Sequence, residues 1–265
     1  MLYGNCLDIV RAVIDGRTDA ILRMSEYGFD YIEAGVTSIA AASDEVFEKV
    51  CRFIVENGVS VPVCNLMFPG DLRLTGEDVD TCAVTAYLRH VFPRLKQIGT
   101  NKLVLGSGRS RRLPDGYDCG RGYEEFSALV RDVMVPECQT YSIRIMIEPL
   151  RNSSCNFINT LADGMRVVSA VNSPYVKLIA DTIHMLSSRE PATEISRCDA
   201  DILHIHVSDY DSVLPEDGYS PELAVLLAEL KSSGYDGTVS FEAAAPKSPD
   251  GLKKALKMLK ETLRR

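Results

Sequence analysis

Short apolar runs, each soon followed by Gly, Pro, Asn or an acid, recur along the chain with longer amphipathic stretches between them. They predict eight strands: Leu2 to Cys6, Tyr31 to Ala34, Val61 to Leu66, Lys102 to Leu105, Arg144 to Glu148, Val176 to Asp181, Ile202 to Val207 and Thr238 to Glu242. Between the third and fourth, Val84, Leu88, Val91, Phe92 and Leu95 recur at three- and four-residue steps, which on a helix makes one buried stripe. Comparable stretches predict helices over Ser43 to Glu56, Arg121 to Gln139, Thr160 to Val171, Pro221 to Ser232 and Gly251 to Leu263, with weaker patterns over residues 8 to 27 and 189 to 198.

Strand then helix, repeated about every 33 residues, is the pattern of parallel strands joined by helical crossovers. A doubly wound sheet advertises a Gly-rich dinucleotide loop after its first strand, but here that strand is followed by LDIVRA, without glycine. The pattern therefore predicts an α/β fold, a single (β/α)8 TIM barrel. No Pro/Ser/Gly-rich linker divides the chain, so residues 1–265 are expected to form one domain. A composition of 46% hydrophobic and 25% charged residues over 265 positions suits a self-sufficient core and excludes disorder, collagen and coiled coil. The formal charge of −8 argues against nucleic acid as a partner. Eight cysteines without a C-x-x-C pair, no charged-then-apolar leader and no apolar run of membrane length point to reduced thiols in a cytoplasmic protein with no membrane partner.

In such a barrel, chemistry sits where strands end and the following loops begin. Four successive strands end on ligand-type residues: IMIE at Glu148, LIAD at Asp181, ILHIH at His206 and VSFE at Glu242, separated by 33, 25 and 36 residues. Each step is about one strand-plus-helix unit, so the four meet at one rim. Three uncompensated carboxylates would repel one another, which makes a divalent cation their natural partner: Mn2+, Mg2+, Zn2+ or Co2+. Glu148 and Glu242, three strands apart in an eight-strand ring, are placed to approach one substrate from different sides. Paired carboxylates beside a metal-polarised carbonyl suit sugar isomerisation or epimerisation. His204 shares a strand face with His206 and reads as a barrel-interior histidine or a support for the site. His184 is expected in the loop after Asp181, either within reach of a substrate hydroxyl or simply exposed. His90 reads as a structural histidine in mid-helix.

At these residues the chain resembles the xylose isomerase-like barrel superfamily, within it the sugar phosphate isomerase/epimerase group that includes ketose 3-epimerases and hydroxypyruvate isomerase. The resemblance is carried by YIEAGV (31 to 36), GSGRSRRLPDGYD (106 to 118), IEPLRNSSCNFINT (147 to 160), LIADTIHM (178 to 185), HIHVSDYD (204 to 211) and GYDGTVSFEA (234 to 243). It implies metal-ligand positions at Glu148, Asp181, His206 and Glu242, acid/base roles for Glu148 and Glu242, and substrate contacts at His184 and Glu33. Two positions depart from the ketose 3-epimerase pattern: Ser154 replaces a Glu of the fifth loop, and Ser212 replaces an Arg six residues after the metal-binding His. The loop GSGRSRR brings Arg109, Arg111 and Arg112 to the same rim, where Arg112 is a candidate ligand for a substrate phosphate or carboxylate, or else a loop arginine paired with Asp115 or Asp118. The expected protein is a metal-dependent sugar isomerase or epimerase acting on a small molecule, with a homo-oligomer possible. The alternatives are an inosose dehydratase-like lyase on the same site and a catalytically silent sugar-binding protein.

Overall fold

All eight predicted strands form among residues 1–264, the residues described by this computed structural model: β1 (Leu2–Cys6), β2 (Tyr31–Gly35), β3 (Val63–Asn65), β4 (Lys102–Leu105), β5 (Arg144–Ile147), β6 (Val176–Asp181), β7 (Ile202–Val207) and β8 (Thr238–Phe241). Each pairs in parallel with the next, and β1 closes on β8 through pairs such as Gly4 with Ser240. That closure makes the fold a (β/α)8 TIM barrel and excludes an open doubly wound sheet.

The helices form where one apolar stripe can be buried and the first turn is capped. Thr81–Gln97 buries Val84, Leu88, Val91, Phe92 and Leu95, and the side chain of Asp80 accepts from the amides of Cys82 and Ala83. Thr160 and Asp163 cap each other's backbone at the start of Leu161–Val171. Each fully buried Leu, Val or Phe of these stripes contributes about 1.5–3 kcal/mol relative to exposure, which holds the helices on the barrel. Local chemistry redraws some boundaries. Residues 8 to 27 divide into Ile9–Asp15 and Asp19–Tyr27, because Gly16 takes a left-handed φ of 65°. The stretch over 121 to 139 runs as Cys119–Leu129, one π turn at Val130–Met134, then Val135–Tyr141. Among the described residues, two short α-helices, Val36–Ala41 and Thr182–Ser188, and one 3-10 turn, Tyr210–Ser212, lie outside the predicted set. His90 Nε2 lies 3.0 Å from the carbonyl of Ala40, tying two helices together.

Strand alternation separates two cores. Outward residues join the main core between barrel and helices, whereas Tyr31, Val63, Val104, Met146 and Ile179 fill the barrel interior. Gly4 is required there: a Cβ would lie 2.2 Å from the Tyr31 ring. Two residues further along most of these strands, the inward position has reached the C-terminal mouth. The inward residues at that level are Asn65, Gly106, Glu148 and Asp181, joined by Cys6, His206 and Glu242 from β1, β7 and β8.

Candidate metal centre

Glu148, Asp181, His206 and Glu242 each offer an atom to one cluster, and these atoms all lie within 4.8 Å of one another. His206 Nδ1 is its centre, 3.1 Å from Glu242 Oε2, 3.4 Å from Glu148 Oε1 and 3.8 Å from Asp181 Oδ2. Glu148, Asp181 and His206 are buried, while the Glu242 side chain keeps 36% of its exposure and opens the site to solvent.

Three of these atoms, Glu148 Oε1, Asp181 Oδ2 and His206 Nδ1, are buried without a hydrogen-bond partner among the described residues. Buried polar atoms are ordinarily paired, so three orphans in one cluster are the kind of donors that a cation would complete. The opposite edges are anchored. His206 Nε2 donates to Glu33 Oε1 at 2.8 Å, which turns Nδ1 toward the cluster. Asp181 Oδ1 accepts from the amide of Ile183 at 2.9 Å and so caps the helix Thr182–Ser188. Glu242 Oε1 accepts from Asn65 Nδ2 at 3.1 Å. Three carboxylates and one imidazole, donor set and orphaned atoms together, fit a divalent cation.

The charges below the cluster are arranged in a stack. Glu33 is wholly buried, with Oε1 held by His206 and Oε2 accepting from His204 Nε2 at 2.9 Å. Burial opposes charge on Glu33, but His206 and His204 outweigh it and hold its carboxyl well below the usual range. Burial likewise opposes protonation of His206, yet Glu33 and Glu242 carry it well above an ordinary histidine. His204 goes the other way: burial lowers it, and its Nδ1 meets Thr238 Oγ1 at 2.8 Å. Burial raises Glu148, with the neighbouring charge of Glu242 adding to it. For Asp181, burial is outweighed by His206 and His184, which lower it.

The remaining expected residues are placed as follows. Glu33, expected to touch substrate, lies instead beneath His206 with no exposure, because β2 presents it one layer below the mouth. His184 is not in a loop but in the first turn of Thr182–Ser188, where Nδ1 accepts from the amide of Arg151 at 3.3 Å and Nε2 lies 3.6 Å from Asp181 Oδ2. Arg112 is exposed and donates to the Ser154 carbonyl at 3.3 Å, which links the loops after β4 and β5. Ser154 Oγ accepts from Arg151 Nε at 3.3 Å, and the Ser212 carbonyl accepts from Ala244 N at 2.7 Å.

Three contributors carried weaker sequence signals. Asn65 ends β3 by the same rule that selects the acids, but an amide is not a ligand type. Gly106 directly follows β4, and a Cβ there would lie 2.0 Å from Glu148 Oε2. Arg111 is wholly buried: Nη2 donates to the main-chain oxygen of Glu148, while Nε and Nη1 have no partner among the described residues. Its sequence signal was only membership of an arginine-rich loop.

The family model described as xylose isomerase-like TIM barrel matches residues 21–262. Among curated proteins, the chain is 28% identical over 99 residues to a 3-dehydro-D-guloside 4-epimerase of Escherichia coli, a match that spans 37% of this chain and 37% of that enzyme's length. It is 23% identical over 232 residues to a D-psicose 3-epimerase of Agrobacterium fabrum, covering 84% of this chain and 77% of that one. Among solved structures, the apo form of a 3-keto-D-glucoside 4-epimerase from Escherichia coli superposes with a TM-score of 0.77 at 20% identity, covering 98% of this chain and 99% of that one.

Proposed function

The chain belongs to the xylose isomerase-like TIM barrel family, and from that premise we propose that it is a metal-dependent isomerase or epimerase acting on a sugar, sugar phosphate or related polyol. The observation that carries this reading is that Glu148 and Glu242 both belong to one donor cluster three of whose atoms are buried without partners. The curated relatives support it, since both are named as sugar epimerases.

Glu148, Asp181, His206 and Glu242 are the residues that would hold the cation. Bound there, a divalent ion would offset the three carboxylates and polarise a substrate carbonyl. The protein's own groups divide the remaining work. Glu242, the open carboxylate steadied by Asn65, takes the proton from the carbon next to the carbonyl. Glu148, whose backbone oxygen is held by Arg111, returns a proton from the other side, which inverts that carbon. Glu33 keeps His206 in one tautomer and orientation. His184 and Arg112, at the mouth, are the groups we assign to substrate hydroxyls and to a substrate anion respectively.

Elemental analysis of the purified protein, followed by a sugar panel in deuterated solvent with the metal found, tests the proposal. Incorporation of solvent deuterium without change of skeleton is expected, and Glu242→Gln should keep the fold while abolishing that exchange. Exchange at the native rate in Glu242→Gln refutes the assigned base. A product lighter by one water identifies the dehydratase reading instead.

A further inference from the structure

Cys6, at the barrel mouth, also lines a cavity of about 390 Å3 between the ends of β1 and β8 and the helix Asp19–Tyr27. Cys6 belongs to both spaces. Its sulfur lies within 4.8 Å of a ring nitrogen of His206 and a carboxylate oxygen of Glu242, and the residue also walls the cavity, as does Ala243 next to Glu242. The other walls are mostly apolar, with Leu7, Met24, Leu214, Ala244 and Leu252 among them. Their polar neighbours are already engaged: Asn5 Nδ2 donates to the Cys6 carbonyl at 3.2 Å, and Tyr27 donates to the Pro249 carbonyl at 3.2 Å. Arg23 stands exposed among the lining residues.

We propose that this cavity is a second substrate subsite that takes an apolar substituent, the aglycone of a glycoside, while the sugar ring carrying the carbonyl lies between Glu148 and Glu242. The inference rests on the epimerase reading of the metal cluster given above. A hydroxylated sugar tail entering the cavity would surrender water and find few free donors or acceptors, which is unfavourable, whereas an aromatic or aliphatic group loses nothing by leaving water. The volume is at the size of ordinary small-molecule sites, about 300–1,000 Å3, and exceeds what a single ring needs.

The test compares a phenyl and a methyl glycoside of the same keto-hexose with the metal-loaded protein, in wild type and in Ala244→Phe, which puts a ring into the cavity from an exposed loop position. The expected result is a kcat/KM ratio of phenyl to methyl of about tenfold or more in wild type, falling toward one in Ala244→Phe. Calorimetric titration with the corresponding phenyl and methyl glucosides, which requires no turnover, should show the same preference and the same loss. Equal binding of the two glucosides by wild type, or a preference that Ala244→Phe leaves intact, overturns the subsite. Preferential phenyl binding with no turnover of any keto-sugar leaves the subsite standing and refutes the epimerase reading instead.

Discussion

Gly106 shows how little room the centre leaves at the level of one atom. A methyl group on its Cα would overlap Glu148 Oε2, so Gly106→Ala should push the carboxylate out of the cluster. A displacement of about 1 Å at a reacting group costs on the order of 100-fold in rate. We therefore expect kcat/KM to fall about 100-fold and metal affinity to drop, with the Tm of the metal-free protein nearly unchanged because Gly106 has an ordinary backbone conformation. Kinetics, metal titration and a melting curve on one preparation check all three. Arg111 is the converse case, a buried cation with one hydrogen bond to Glu148 and two nitrogens unfilled. A buried cation with unfilled donors keeps a desolvation cost that an apolar side chain of similar length removes. Arg111→Met should keep or raise Tm while lowering kcat about tenfold as the Glu148 backbone loosens, and a fall in Tm with unchanged kcat would contradict that assignment. The four ligand-type residues were legible in the sequence because strand alternation continues to the mouth. Asn65 and Gly106 obey the same alternation, but neither residue type announces metal chemistry.

At the scale of elements, small departures from regularity do the positioning. Leu178 pairs with Ile202, but Ile179 pairs with His204, so β7 carries one extra residue at Leu203. That bulge sets His204 and His206 opposite Ile179 and Asp181 and aims both imidazoles at Glu33. The ends of β6 and β7 are then locked, since Thr182 Oγ1 donates to the Ser208 carbonyl at 2.6 Å and accepts from its amide at 2.9 Å. Beyond that lock, Glu190 caps the helix Leu161–Val171 through Leu161 N at 2.7 Å. Burial, with Glu194 and Asp163 adding, pushes its carboxyl from an ordinary 4.5 up to about 7. The folded state thus binds a proton that the unfolded chain releases. Stability from this group is full below about pH 4.5 and is lost as pH rises toward 7. Melting curves between pH 5 and 8 should fall less steeply for Glu190→Gln than for wild type, and parallel curves would show that Glu190 contributes nothing to the slope. The bulge and the short helix after β6 were not legible, because one inserted residue or a seven-residue helix hardly disturbs a hydrophobic pattern.

For the whole molecule, closure of the ring decides where charge accumulates. The −8 of the chain includes three carboxylates brought to one point by β5, β6 and β8, and a cation that binds only the folded state stabilises it by mass action. At about 100 times its Kd that amounts to about 2.7 kcal/mol, or a rise of about 5–10 °C in Tm for a chain of this size. Chelation should lower Tm by that amount and readdition of the metal should restore it. A Tm indifferent to chelator would mean that the cluster holds no ion. No helix among the described residues is long and apolar enough to cross a membrane. The sequence alone determined the eight-fold alternation, the barrel and the four ligand-type strand ends, because these follow from periodicities of two and 3.6 that are local to each segment. The tertiary structure decided depth and partnership: that Glu33 lies beneath His206, that His184 belongs to a helix, that Arg111 backs Glu148 and that Cys6 opens onto a second cavity. Those depend on register and stagger between strands far apart in the chain, which no single segment encodes.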